Sequence, residues 1–251
     1  MGLLTAPCSL LTVFIMPPPK KEFIPEMVLI SEGAFLMGSE DGPDNEKPAH
    51  RVWVDGFVIG KFPVINREYR IFVEETGAPE PPFWLEEMFS HLDKPVIGTS
   101  WVDAIAYCDW LSKRTGKHFR LPTEAEWERA ARGGLEGKKY PWGDEPPWER
   151  PYPGYDLVTG GPQRVGLGEP NSFGLYDISE GVHEWCSDFY DPHYYCNSPE
   201  RNPQGPSSGK RRASRGGSWR HRIKFSRCAA RSSLNPSFKY ADYGFRVAMS
   251  L

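Results

Sequence analysis

The side chains best suited to proton transfer or transition-metal binding near neutral pH are six histidines: His50, His91, His118, His183, His193 and His221. None stands in an HxH, HxxxH or HxxE pair, so no local spacing brings two ligands together. A 2-His-1-carboxylate iron site would have to be assembled from distant segments, with His221, His183 and a carboxylate as its candidates. The alternative is a polar cleft residue at His221 and a hydrogen-bonded loop residue at His183. Five cysteines (Cys8, Cys108, Cys186, Cys196 and Cys228) are too few and too widely spaced for a disulfide framework or a CxxC metal knuckle. A reducing compartment, the cytoplasm, is expected. After Trp219, the cations Arg220, Arg222, Lys224, Arg227 and Arg231 alternate with apolar residues, which in an extended segment sends several to one face. Arginine forks there would suit an acidic or carboxylate-bearing ligand. The same arginines could equally tie loops to backbone carbonyls and acidic residues, and Arg231 and Arg246 read as structural.

These residues must be positioned by a folded domain. Charged residues are 25% of the 251-residue chain and apolar residues 39%, with 14 Phe, 11 Tyr and 9 Trp, which excludes a disordered chain, a collagen and a coiled coil. The net charge is −3 and no basic run exceeds Lys210-Arg211-Arg212, so no nucleic-acid partner is expected. The 25 Gly and 25 Pro are scattered evenly and imply many turns. Two hairpins are predicted, one joining 27–30 to 34–37 about Ser31-Glu32-Gly33 and one joining 51–54 to 57–59 about Asp55-Gly56. Helices are predicted from an Asn66 cap to Gly77, from Ser100 with Asp103 to Gly116, and from the Thr123/Glu126 capping box to about Arg132. Beyond Tyr140 no helical period survives. Residues 1–25 read as a leader or a misassigned start, with Met16 as the true first residue, because Lys20-Lys21 follows the apolar run instead of preceding it. That run is too short to span a bilayer, so no membrane is expected. Residues 26–251 read as one domain.

Met37-Gly38-Ser39, Pro95-Val96 with Ser100-Trp101-Val102-Asp103-Ala104, Arg120 to Glu128 and Tyr140-Pro141-Trp142-Gly143 occur in that order. Asn171 to Asp177, Glu184-Trp185, Arg215-Gly216-Gly217-Ser218-Trp219 and Gly244-Phe245-Arg246 continue the series. Together, over roughly Glu26 to Ser250, they resemble the formylglycine-generating enzyme, or sulfatase-modifying-factor, family. The resemblance implies an α+β fold: a single asymmetric domain similar to C-type lectins, with few short helices and strands, much loop, and bound calcium. Family members include sulfatase-activating oxidases, iron-dependent sulfoxide synthases of ergothioneine synthesis, pyoverdine-maturation proteins and non-catalytic binders, so the fold does not decide the chemistry.

In the oxidases of this family two cysteines after the Gly-Gly-Ser-aromatic motif bind copper(I), which soft sulfur ligands suit. Here Arg220 to Arg227 holds neither thiol. Cys228 and Cys108 match disulfide cysteines of secreted members, but the matching partner positions, near Ala131 and at Val247, carry no sulfur. Copper-cysteine oxidation is therefore not expected. The cleft at Ser218, Trp219, Arg220, His221 and Arg222 is expected to hold a peptide or small ligand. The alternative is an oxygen-dependent oxidase with iron or copper on nitrogen and oxygen ligands. The resemblance also implies a structural calcium on the side chains of Asp177 and Glu184 and the carbonyls of Glu180 and Val182. Glu180 stands where a glycine is usual. The family's other calcium site falls in Tyr152 to Gln163, which is shortened and Pro-rich, and is not carried over.

Overall fold

The computed structural model describes residues 23–149, 160–220 and 225–251. Its helices start where side chains take up N–H groups that a first turn leaves unpaired. They are α1 (Asn66–Thr76), α2 (Trp101–Thr115) and α3 (Glu124–Arg132). At α2 the Ser100 hydroxyl accepts from Asp103 N at 3.1 Å, and the Asp103 carboxylate accepts from Ser100 N at 2.9 Å. At α3 Thr123 and Glu126 exchange the same pair of bonds at 3.1 and 2.8 Å. Each helix ends at a glycine in the left-handed region, Gly116 at φ 69° and Gly133 at φ 56°, as expected. α1 differs in its start. Ile65 holds the cap position and Glu68 accepts from its N–H at 3.1 Å. Asn66 lies inside the first turn because its buried amide donates to the carbonyls of Phe89 and His91 instead.

The expected strands form, but not the expected hairpins. β1 (Met27–Ile30) pairs antiparallel with β4 (Phe57–Gly60), and β2 (Gly33–Met37) with β3 (His50–Val54). Both turns carry the chain from one sheet to another. The reason is visible at Asp55, whose carboxylate and N–H both bond the Asn202 side chain, while Trp53 N and O bond Glu200 and Asn202. Residues 200–202 thus occupy the edge of β3 that a hairpin partner would take. The remaining strands are β5 (Phe119–Arg120), β6 (His183–Phe189), β7 (Arg212–Arg215), β8 (Arg231–Leu234), β9 (Tyr243–Gly244) and β10 (Ala248–Ser250). One sheet runs β1-β4-β10-β5 and another β8-β7-β6-β9, with β9 parallel to β6. Three helices, short sheets and long connecting segments make this an α+β fold.

An aromatic core joins α1 and α2, where Tyr69 stacks on Tyr107 at 5.7 Å and Phe72, Trp110 and Phe245 close around them. Cys108 lies in this core with Val247, and Cys228 lies with Ala131 in the core beneath α3. The thiols are free, and burial pushes that of Cys228 up to about 12.

α3 buries charge as well as carbon. Glu124 and Glu128 are 2% and 0% exposed. The Glu124 carboxylate accepts from Arg231 Nε and Nη2 at 2.7 and 3.0 Å. Glu128 accepts from Arg132, Arg215 and the Gly38 N–H. Arg215 donates further to the carbonyls of Ala229 and Ala230. This paired ionic core ties α3 to β7, β8 and the chain before β3. Among the described residues no helix is long and apolar enough to cross a membrane.

Candidate functional site

β7 runs straight into Gly216 and Gly217, and only glycine lets this turn close. Gly216 has φ +80°, and a Cβ on Gly217 would lie 2.7 Å from the Ser179 carbonyl oxygen and the Ser226 hydroxyl. The approach is fixed by Gly217 N donating to Ser179 O at 3.0 Å and Trp219 N to Gly181 O at 2.8 Å. The floor of the cleft therefore hangs on the backbone of the acidic loop. Ser218, 1% exposed, donates to Asp242 at 3.3 Å and accepts from Arg220 N at 3.3 Å. The Trp219 indole donates to Ala241 O at 3.0 Å and its ring packs 5.8 Å from Phe89. The Arg220 guanidinium lies 5.7 Å over that indole.

Beside this floor lies a cleft of ≈ 280 Å³ lined by Arg220, His183, Phe225, Ser232, Asp242 and Tyr243 among others. His183 opens β6 and is 2% exposed, with Nδ1 2.7 Å from the Gly216 carbonyl oxygen. A carbonyl can only accept, so Nδ1 carries the hydrogen and, in the neutral ring, Nε2 is the basic nitrogen. Phe225 and Tyr243 pack against the imidazole at 5.4 and 5.0 Å. The Tyr243 hydroxyl stands 3.4 Å from both Ser214 and Ser232, and burial pushes its phenol above the ordinary range. Among the described residues the cleft thus offers one guanidinium, one oriented imidazole and hydroxyl donors around a single carboxylate.

Of the expected cleft residues, the structure brings together Ser218, Trp219 and Arg220, while His221 and Arg222 lie outside the described residues. The expected positive face does not extend to Arg227, and Arg231 is structural, as expected. Arg227 turns inward to Glu46 in two bonds of 2.6 and 2.7 Å, and Arg231 turns to Glu124, because those buried carboxylates need partners. Of the neighbouring aromatic residues, Tyr195 is core, Tyr190 and Tyr194 pack against the core, and Trp142 lines another cavity. Tyr152, Tyr155 and the side chain of Trp148 lie outside the described residues. Sequence reasoning missed Asp242 and Tyr243. The one available signal was their place immediately before Gly244-Phe245-Arg246.

The acidic loop splits its side chains between two surroundings. Asp177, at φ 55°, accepts from Gly166 N at 2.8 Å. Asp177 and Glu180 line a cavity of ≈ 210 Å³ with Trp142, Glu169 and Ser179. Glu184, 0% exposed, turns the other way. Its two oxygens accept from Arg246 at 2.8 and 2.9 Å and from the Trp127 indole at 2.6 Å. Val182 is buried and donates to the Glu180 carbonyl at 3.0 Å. The expected calcium donors therefore fit in part. The oxygens of Asp177 and the loop carbonyls are hard donors, but the Glu184 charge is already balanced by Arg246. Among the described residues no three His, Cys, Asp or Glu side chains gather into a metal-holding group.

Residues 14–251 match the family described as the sulfatase-modifying factor enzyme 1-like domain. Over 254 residues the chain is 34% identical to the serine/threonine-protein kinase pkn1 of Chlamydia pneumoniae, covering 93% of this chain and 39% of that protein. It therefore spans less than half of that relative's length. To the formylglycine-generating enzyme of Mus musculus it is 33% identical over 291 residues, 92% of this chain and 76% of that protein. Among solved structures, PvdO from Pseudomonas aeruginosa superposes with a TM-score of 0.78 at 29% identity, covering 90% of this chain and 95% of the other.

Proposed function

The chain belongs to the sulfatase-modifying factor enzyme 1-like domain family, and on that premise we propose that it binds an anionic peptide or small ligand in the Arg220 cleft without copper-cysteine oxidation. The observation that carries this reading is the identity of the groups around the cleft. Among the described residues its lining offers a guanidinium, an imidazole and hydroxyls but no thiol, and Cys228, the cysteine nearest in sequence, is sealed in the core. A thiol pushed up to about 12 by burial stays protonated at neutral pH and is a poor metal ligand. Arg220 supplies the charge for a carboxylate, and the fixed imidazole supplies direction.

Incubation with copper(I), oxygen and a Cys-x-Pro-x-Arg peptide is expected to give no aldehyde by mass spectrometry. An aldehyde at enzyme-like turnover sinks the reading. In the binding arm, an N-acetylated Asp-Glu dipeptide is expected to bind the native chain and to lose about tenfold in affinity with Arg220→Gln, the loss of one charged hydrogen bond. Equal affinity for both proteins also counts against it.

A second reading is favoured by one feature. Metal-bound histidines usually donate their other ring N–H to a carbonyl or carboxylate, and His183 does so to Gly216. Iron would then be held by His183, His221 and a carboxylate, with Asp242 in the cleft wall. Such a metal would supply oxygen activation. One iron per chain in the native protein, lost with His183→Ala, supports this second reading.

Calcium is proposed for the acidic loop, on the Asp177 carboxylate and the Glu180 and Val182 carbonyls, with Glu184 shared with Arg246. Because Arg246 already offsets one charge, the expected contribution is modest. Chelator should lower the melting temperature by about 2–8 °C, corresponding to about 1–2 kcal/mol. An unchanged melting point, with no calcium by elemental analysis, removes the site.

A further inference from the structure

We infer that the Arg220 cleft selects anions that carry a planar aromatic ring, an aryl-bearing carboxylate of the size of one aromatic residue. The inference rests on the anion-binding reading above and goes beyond it by naming what flanks the charge. The cleft measures ≈ 280 Å³, and pockets that enclose drug-sized ligands run to about 300–1,000 Å³. It therefore suits one residue-sized group and not a longer stretch of peptide. Arg220 and Tyr240 line it together. Arg220 is exposed and, among the described residues, makes no ion pair, its guanidinium resting on the Trp219 face at 5.7 Å. The arginines that line other cavities, Arg120, Arg132 and Arg227, each already bond a carboxylate. Arg220 keeps its donors for an added anion, and a guanidinium fork matches a carboxylate.

The wall beside that charge is aromatic, and it is held still. Phe238 and Tyr240 leave 49% and 45% of their surface in solvent, an adjacent exposed pair of the kind that marks a binding surface. Yet the backbone beneath them is pinned. Tyr240 O accepts from Gly98 N and from Tyr243 N, each at 3.1 Å, Ala241 O accepts from the Trp219 indole at 3.0 Å, and Lys239 Nζ bonds the Asp103 carboxylate at 2.8 Å. Rings on a fixed backbone offer contact area at little further cost in entropy. Phe238 and Tyr240 stand 6.2 Å apart at 87°, Tyr240 lies 6.2 Å from Tyr243, and Tyr243 lies 5.0 Å from His183. This run of rings leads from the surface into the cleft, where Leu234 adds an apolar wall. A ligand ring entering along it meets edges and faces in the geometry that gives aromatic pairs more than their buried area. Asp242 is 4% exposed and engaged by Ser218, so an entering carboxylate meets Arg220 and Tyr240 first.

The test is calorimetric titration of the full chain with N-acetyl-L-phenylalanine, N-acetyl-L-cyclohexylalanine and N-acetyl-L-alanine. The phenylalanine acid is expected to bind about tenfold more tightly than the alanine acid and more tightly than the cyclohexyl acid. Its amide, without the charge, should bind about tenfold more weakly than the acid. Tyr240→Ala should bring the preference for phenylalanine over alanine to about one, with no change in melting temperature because the ring is exposed. Arg220→Gln should weaken both acids by about tenfold and leave their ratio intact. An acetyl-Gly-Gly-Phe peptide that binds as well as the acid assigns the site to the end of a chain. Exclusion of the peptide while the acid still binds assigns it to a free aromatic acid, and both outcomes sustain the inference. Equal affinity for the phenylalanine and alanine acids, or for the phenylalanine and cyclohexyl acids, with both still dependent on Arg220, overturns this inference alone. So does a preference that survives Tyr240→Ala. Binding indifferent to Arg220→Gln, or no binding of any of the acids at millimolar concentration, overturns the anion reading and this inference with it.

Discussion

Arg246→Met is expected to remove about 3–5 kcal/mol of folding stability, the usual cost of stranding one member of a buried ion pair. Arg246 and Glu184 are both 0% exposed, and the guanidinium also donates to the carbonyls of Gly60 and Tyr176 at 2.8 and 2.9 Å. Methionine fills the volume of the stem but answers neither the carboxylate nor the carbonyls. For a chain of this size the loss corresponds to a fall in melting temperature of about 6–20 °C. Adding Glu184→Gln should recover part of it, because glutamine can still accept from Trp127 and carries no charge to strand. Urea unfolding of the two single variants and the double variant closes the cycle. Additive losses would mean that the pair is not the source.

Arg215→Met should cost a similar amount, about 3–5 kcal/mol. It leaves Glu128 with Arg132 and the Gly38 N–H and orphans the carbonyls of Ala229 and Ala230. It should also change the response to acid. Burial alone would raise the Glu128 pKa, but Arg132 and Arg215 outweigh it and hold the carboxyl below its ordinary range. A depressed carboxylate stabilises the fold at neutral pH and loses that contribution as pH falls through its ordinary range toward its folded value. Without Arg215 the depression shrinks, so the acid-side loss from this group, which starts in the ordinary carboxylate range in both proteins, should be smaller and should end at a higher pH than in the native chain. Urea midpoints between about pH 7 and pH 3 measure the difference. Identical acid limbs would count against this role for Arg215.

What the sequence revealed follows from how locally each feature is determined. The starts of α2 and α3 were legible because Ser100 with Asp103, and Thr123 with Glu126, settle their hydrogen bonds within four residues. Strand positions were legible too, but not their partners, because Asn202 takes the Asp55 turn from far along the chain. The acids of α3 look like a solvated face. They are buried because Arg215 and Arg231 arrive from β7 and β8, and no pattern within the helix announces them. In the candidate site, Gly216 to Arg220 was readable as a motif. Asp242 and Tyr243 beside it and the acidic cavity were not, because each is brought in by segments that meet only after folding.

The placement of β10 has a consequence for biosynthesis. Residues 248–250 form the inner strand between β4 and β5, with Ala248 opposite both Ile59 and Arg120. A nascent chain emerges from its amino end, so these residues leave the ribosome after every other strand of the two sheets. Until then β4 and β5 have no common neighbour, and Phe245 and Val247 are missing from the aromatic core. Strands β4 and β5 must therefore wait, partly unsealed, for β10, and their exposed edges are the surface a chaperone would have to shield during translation.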